Sequence, residues 1–151
     1  MVSIIIPVYN KLDYTTRCIE SLVMNSGETT PYEIILVDNS STDGTPGYLQ
    51  SLQGDVTVIS NKTNLGFARA CNQGARLARG RLLLFLNNDT VPHPGWLDAL
   101  VQGIEEDEAD IVGARLLYPN GRIQHAGVAF DELQRGTFVK HAAAQTHDAA
   151  P

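Results

Sequence analysis

Sulfur, basic charge and long apolar runs are all scarce in this chain, and each scarcity excludes a class of protein. Two cysteines, Cys18 and Cys71, stand among 151 residues. That is too few for a disulfide scaffold, and both fall inside helical apolar patterns, so they are expected to be buried, reduced packing residues. Eleven Lys and Arg face 17 Asp and Glu, for a formal charge of -6 and a pI near 5.0. Nucleic acids and anionic membranes are held by basic patches, so no nucleic-acid partner and at most peripheral membrane association are expected. The longest apolar run, residues 82–86, is far below the ~20 residues that cross a bilayer. Residues 1–3 lead straight into an apolar stretch with no basic n-region, so no signal peptide is expected. The G-x-G-x-x-G fingerprint, the P-loop and the G-x-S-x-G elbow are also missing.

What is present is 43% hydrophobic residues, enough for one core, arranged as alternating strand and helix patterns. Residues 2–8, 33–37, 56–60 and 81–86 read as short buried strands, with a fifth at 110–112. Between them run helical periodicities. One carries Tyr14, Cys18, Ile19, Leu22 and Val23, and a short one Tyr48, Leu49 and Leu52. A third carries Phe67, Ala70, Cys71, Gly74, Ala75 and Ala78, whose small residues predict close approach to a sheet. A fourth carries Trp96, Leu97, Leu100, Val101 and Ile104. The alternation predicts an α/β fold with a mainly parallel sheet. Asn120-Gly121 then marks a tight C-terminal β-hairpin. The tail, 141–151, is small and weakly patterned and is expected to fray.

In such sheets ligands bind beyond the carboxyl ends of the strands. Tyr9-Asn10, Asp38-Asn39 and Asn87-Asn88-Asp89 all fall there. Asp38, at the end of a buried strand, must meet a donor: a ligand N–H or hydroxyl, or the following turn that it would cap. Asp89 suits Mg²⁺ or Mn²⁺, which take few protein ligands and complete their shell with phosphate and water. Its plain alternative is a helix-entry Asp ahead of Pro92 and Pro94. Gly66 opens a helix whose N-terminus favours anions, with Arg69 one turn inside. The four histidines show no metal-ligand spacing, and His125 is a candidate pocket residue.

PVYN (7–10), VDNSSTDGT (37–45), NLGFARACNQG (64–74) and LFLNNDT (84–90), in this order and spacing, resemble the family 2 glycosyltransferases of the GT-A fold. The continuation at 112–128 is similar to their rhamnosyltransferase-like branch. The resemblance implies a Rossmann-like sheet flanked by helices, and inverting transfer of a sugar from a nucleotide-diphosphate donor, of UDP or dTDP type, to an acceptor hydroxyl. It implies a nucleotide-sugar site formed by Pro7, Tyr9, Asn10, Asp38, Asn39, Gly66, Arg69, Asn72, Asn87 and Asn88. Asn39 stands where the family often has a second acid, and its carbonyl is expected to accept a ring N–H. Asp89 is the one acid left of the family's DxD motif and is the implied ligand of Mn²⁺ or Mg²⁺.

The resemblance further implies residues 1–112 as the nucleotide-sugar-binding half and 113–140 as the start of the acceptor-side half. A saccharide or lipid-linked acceptor is expected, with polysaccharide synthesis at a bacterial, cytoplasmic location. The family's general base lies in a downstream acidic motif. After His125 the acids are Asp131, Glu132 and Asp148, none in that context, so the base is expected downstream of this chain. A non-catalytic nucleotide-sugar-binding module or fragment is the alternative. A nucleotidyltransferase would need a glycine-rich basic loop after the first strand, and PVYN is not one.

Overall fold

The computed structural model describes residues 1–27, 29–106, 109–133 and 136–141. The chain divides into two compact units, Met1–Ala99 and Leu100–Pro151.

The first unit holds β1 (Val2–Val8), α1 (Leu12–Asn25), β2 (Tyr32–Asp38), α2 (Thr45–Ser51), β3 (Val56–Ser60), α3 (Phe67–Leu77), β4 (Leu82–Phe85) and the start of α4 (Trp96–Glu105). Its four strands form one parallel sheet in the order β3-β2-β1-β4. All seven residues of β1 are buried, as the β-branched run at 2–8 predicts for a central strand. Pro7 fits within it for a reason of register. The Ile5 carbonyl accepts from Leu86 N on the β4 side, and the Val8 carbonyl accepts from Asn39 N on the β2 side. Pro7 therefore faces the β4 side, after the pairing of β1 with β4 has ended at Ile5↔Phe85. Its missing N–H removes no ladder bond there.

Helix α3 approaches one face of this sheet closely. A Cβ at Gly74 would lie 2.5 Å from Ile5 Cγ2 and 3.5 Å from Ile35 Cγ2. Ala70, Cys71 and Gly74 are its buried residues, while Phe67, assigned to the same stripe by periodicity, is 57% exposed. In α1 the buried stripe is Thr15, Cys18, Ile19 and Leu22: three of the expected residues are in it, and Thr15 stands in place of Tyr14. Tyr14 and Val23 flank it, exposed. The polar Thr15 takes the position that a purely apolar reading gives to its neighbour. Both cysteines are buried and free.

At the amino ends of the strands, opposite the candidate site, Glu33 is buried in β2. It accepts from Ser3 Oγ (2.6 Å), Arg79 N (2.7 Å) and Arg79 Nε (2.8 Å), and Arg79 also pairs with Asp55. Burial works to raise the Glu33 pKa, but the bonds from Ser3 and Arg79 outweigh it and hold the carboxyl below its ordinary value.

In the second unit β5 (Leu116–Leu117) and β6 (Ile123–His125) form the antiparallel hairpin expected around Asn120-Gly121. Gly121 takes a positive φ of 80°, and Tyr118 N bonds to the Arg122 carbonyl at 2.8 Å. A second hairpin, β7 (Val128–Leu133) with β8 (Gly136–His141), follows. No strand forms at 110–112. Ile111 is 89% exposed and Val112 lies where a Cβ on Gly103 of α4 would touch it, so these apolar residues have no sheet to join. The tail expected to fray lies outside the described residues, apart from His141, which closes β8.

Candidate functional site

The strand order reverses beside β1: the chain builds β2 and β3 on one side of it, then places β4 on the other. A crevice opens at such a switch point, outside the carboxyl ends of the strands. The loop after β1 and the turn after β4 flank it, with the turn after β2 next to the former.

The loops after β1 and β2 are stitched into one rim. Asn10 N donates to Ser41 Oγ (2.7 Å), and Asn10 Oδ1 accepts from Thr42 N (2.8 Å). Asp43 Oδ2 accepts from Leu12 N at 3.2 Å, at the start of α1. Three non-glycine residues here hold positive φ: Asn10 at 54°, Lys11 at 62° and Ser40 at 69°. Such conformations are costly and persist where the surroundings fix them. The rim borders a groove of about 600 Å³ lined by residues 10–14 with Thr42 and Asp43. Tyr9 beside it is half exposed.

Asp38 and Asn39 are both buried at 4% exposure, and both spend bonds on the protein. Asp38 Oδ1 accepts from Ser41 N at 2.9 Å, so the turn-capping role read from sequence is present. Asn39 Oδ1 accepts from Asn61 Nδ2 (3.0 Å), and its Nδ2 donates to the Gly66 carbonyl (3.4 Å). Asn61 in turn exchanges amide bonds with Gln73 of α3 at 2.8 and 2.9 Å. The carbonyl expected to meet a ring N–H is thus engaged inside the protein, and Asn39 ties the end of β2 to the start of α3. Gly66, φ 81°, precedes α3, whose first turn receives no side-chain cap. Arg69 and Asn72 are exposed on that helix. Pro7 is buried within β1, so it places the loop without lining it.

After β4 the chain turns through Asn87, Asn88, Asp89 and Thr90. The Asn87 carbonyl accepts from Thr90 N (3.2 Å) and Thr90 Oγ1 (2.7 Å), closing the turn. Cys18 Sγ donates to the same carbonyl at 3.6 Å, and Asn88 Nδ2 donates to Thr15 Oγ1 at 3.0 Å. Burial pushes the Cys18 thiol up to about 11, and the nearby Asp89 charge adds to this against the Thr90 hydrogen bond. At neutral pH it keeps the proton it donates. Asp89 itself is exposed. Among the described residues no group of three or more His, Cys, Asp or Glu is placed to hold a metal ion. One exposed carboxylate is nonetheless the donor set of Mg²⁺ or Mn²⁺ completed by phosphate and water, so the residues fit such an ion.

Of the residues singled out in the sequence, Asn10 and Asp38 meet through Ser41 and Thr42, and Asn39 meets Gly66. Sequence reasoning missed Asn61, Gln73, Thr15 and Ser41, the residues that hold them. Only Asn61, one residue past a strand end, carried a positional signal. No helix among the described residues is long and apolar enough to cross a membrane.

The glycosyl transferase family 2 model matches residues 3–144. Glycosyltransferase AglE of Haloferax volcanii is 32% identical over 125 residues, 80% of this chain and 41% of that protein. O-antigen biosynthesis protein RfbC of Myxococcus xanthus is 36% identical over 130 residues, 84% of this chain and 10% of that protein. The crystal structure of S. aureus TarS 1-349 in complex with UDP-GlcNAc superposes with a TM-score of 0.66 at 28% identity, covering 72% of this chain and 32% of that one. The chain spans less than half the length of each of these relatives. On this match, and with a parallel sheet whose order reverses over the candidate site, the chain belongs to glycosyltransferase family 2 and has the α/β fold of the GT-A enzymes.

Proposed function

We propose that the carboxyl edge of the sheet binds a nucleotide-diphosphate sugar, of UDP or dTDP type, for inverting transfer to the hydroxyl of a saccharide or lipid-linked acceptor. One observation carries this reading. The rim of Asn10, Asp38 and Ser41 and the turn presenting Asp89 border the same switch point, and Asp89 alone of its turn offers an exposed carboxylate. The complex of TarS with UDP-GlcNAc supports the same donor class.

In this reading the groove beside Tyr9 and Asn10 takes the nucleotide. Asp38 contributes its carboxylate from the end of β2, and Arg69 with Asn72, near the open start of α3 at Gly66, meets the diphosphate. Asn87 is exposed and free to face the sugar side. Asp89 would hold Mg²⁺ or Mn²⁺, which supplies charge to offset that developing on the departing diphosphate. Asp38 and Asp89 are assigned to donor and cation, and no carboxylate of this edge is assigned to the general base. The name of one relative, an O-antigen biosynthesis protein, supports a role in polysaccharide assembly.

Calorimetry with UDP- and dTDP-sugars, with and without Mn²⁺, tests the proposal. Asp89→Ala is expected to abolish the Mn²⁺-dependent gain in affinity and to leave metal-free nucleotide binding in place. Because a single acid remains in the DxD position, a binding module without turnover is the second reading. Nucleotide-sugar binding with no hydrolysis or transfer in any acceptor mixture would favour it, whereas no binding to any nucleotide sugar would end both.

A further inference from the structure

Thr15 is a polar residue at a fully buried position of α1, where the helical stripe otherwise carries Cys18, Ile19 and Leu22. A buried hydroxyl is unfavourable unless it is hydrogen-bonded. Its partner is the side-chain amide of Asn88, 3.0 Å away and 73 residues along the chain. One turn further along α1, Cys18 reaches the carbonyl of Asn87. Residues three apart on a helix share a face, so α1 grips the turn at two successive points. The turn is closed from within by Thr90, which bonds the same Asn87 carbonyl through both its N–H and its hydroxyl. Asp89 lies between two residues that are held, and its own carboxylate is left in solvent.

We propose that Thr15 is a positioning residue for the cation-binding turn, and that Asn88 acts through Thr15 instead of touching the sugar. The inference rests on the proposed function, since it concerns the same cation. The physical argument is that a site with one anionic protein ligand has no second carboxylate to correct a wandering first one. Where Asp89 points must then be set by the chain that carries it, and of the two grips of α1 on that turn the Thr15–Asn88 bond, at 3.0 Å, is the shorter, against 3.6 Å for Cys18 on the Asn87 carbonyl. Partners that orient a metal's ligands in this way govern affinity as strongly as many ligands do.

The full chain serves for the test, with Thr15→Val, Thr15→Ser, Asn88→Ala and the Thr15→Val/Asn88→Ala double variant. UDP and a UDP-sugar are each titrated with and without Mn²⁺. Thr15→Val is expected to weaken Mn²⁺-dependent UDP binding about tenfold and to leave metal-free UDP affinity unchanged within about twofold. Thr15→Ser, which keeps the hydroxyl, is expected to restore the wild-type value. Asn88→Ala is expected to match Thr15→Val, and the double variant to be no worse than either, because both remove one bond. Asn88→Ala alters a half-buried loop position and keeps the test open if Thr15→Val does not fold. Amide hydrogen exchange at residues 87–90 is read alongside, without ligand, and is expected to quicken in Thr15→Val but not in Thr15→Ser.

Wild-type Mn²⁺ dependence in Thr15→Val would overturn the inference. So would an Asn88→Ala loss of UDP-sugar affinity that adds to that of Thr15→Val, since it would put Asn88 on the sugar. If the wild-type chain binds no nucleotide at all, the proposed function falls and the cation role of the turn falls with it. Unchanged exchange at 87–90 overturns the pin separately, whatever the nucleotide result.

Discussion

Single glycines decide how closely α3 and the chain after it approach β1. Alanine in a helix interior is favoured over glycine by up to about 1 kcal/mol. At Gly74 that gain meets Ile5 Cγ2 at 2.5 Å, in a fully buried β-branched residue of a central strand, and overpacking of this kind costs about 1–3 kcal/mol. The clash wins, so Gly74→Ala is expected to lower the thermal midpoint measured by circular dichroism. Gly80→Ala is expected to do the same, because its Cβ would lie 2.7 Å from Ser3 N and 2.9 Å from Met1 O, backbone atoms that have no rotamer to change. Gly47 in α2 has nothing within 4 Å of its Cβ position. There only propensity acts, and Gly47→Ala is expected to raise the midpoint. Equal effects at Gly47 and Gly74 would contradict the packing argument. The small residues of the third helical stripe made this close approach legible in sequence. The roles of Asn39 and Asn88 were not legible in the same way. Both sit where a ligand-facing residue belongs, and what occupies their side chains, Asn61 and Thr15, comes from elements distant in the chain.

At the scale of elements, the sheet is tied at both ends by polar networks of different character. The carboxyl-end ties contain no ion pair: they run through amides and hydroxyls, and the Asp38 and Asp43 carboxylates accept from backbone N–H groups. The amino-end tie is ionic: Glu33, 2% exposed, joins β2 to β1 through Ser3 and to the segment after α3 through Arg79. Its pKa lies below the ordinary 4.5 in the folded chain. A depressed carboxylate adds stability that is fully present above its unfolded pKa and is lost as pH falls through the folded value. Asp98 has the same sign, lowered by bonds from Thr30 (2.5 Å) and Thr29 (2.7 Å). Urea unfolding is therefore expected to show stability level through neutral pH and declining below pH 4.5. In Glu33→Gln that acid decline is expected to be shallower, from a starting stability about 2 kcal/mol lower, since an amide donor would face the Ser3 and Arg79 donors. An unchanged acid slope would remove Glu33 as its source. The strands were legible because β-branched runs admit little else, and observed β1 and β3 coincide with the expected spans. The buried face of α1 differs from the expected one at its edges, where Thr15 replaces Tyr14 and Val23 is exposed, because a polar threonine belongs to it. The strand expected at 110–112 failed for want of a partner: apolar residues make a strand only where a neighbour can pair with them.

For the whole molecule, the order β3-β2-β1-β4 both creates the crevice and leaves β4 at an edge. Ser3↔Leu83 and Ile5↔Phe85 are register pairs, so Leu83 and Phe85 share the face that α3 covers farther along the sheet. Here they are 47% and 50% exposed, and no strand among the described residues pairs with the outer side of β4. An open edge with apolar side chains is a template for pairing with another chain. The formal charge of -6 opposes association, but repulsion between exposed charges is screened beyond about 10 Å at 0.1 M salt, whereas burial of Leu83 and Phe85 is not. Self-association of the 151-residue chain is therefore expected to rise with salt, as sedimentation velocity over a concentration series would show. Leu83→Lys places a charge on that edge without entering the core and is expected to return the chain to monomer. It should leave nucleotide binding intact, since Leu83 lies at the amino side of β4, away from Asp89. Association that falls with salt, or that survives Leu83→Lys, would place the contact on a charged surface elsewhere. The candidate site and the sticky edge thus have one origin, the placement of β4 on the far side of β1.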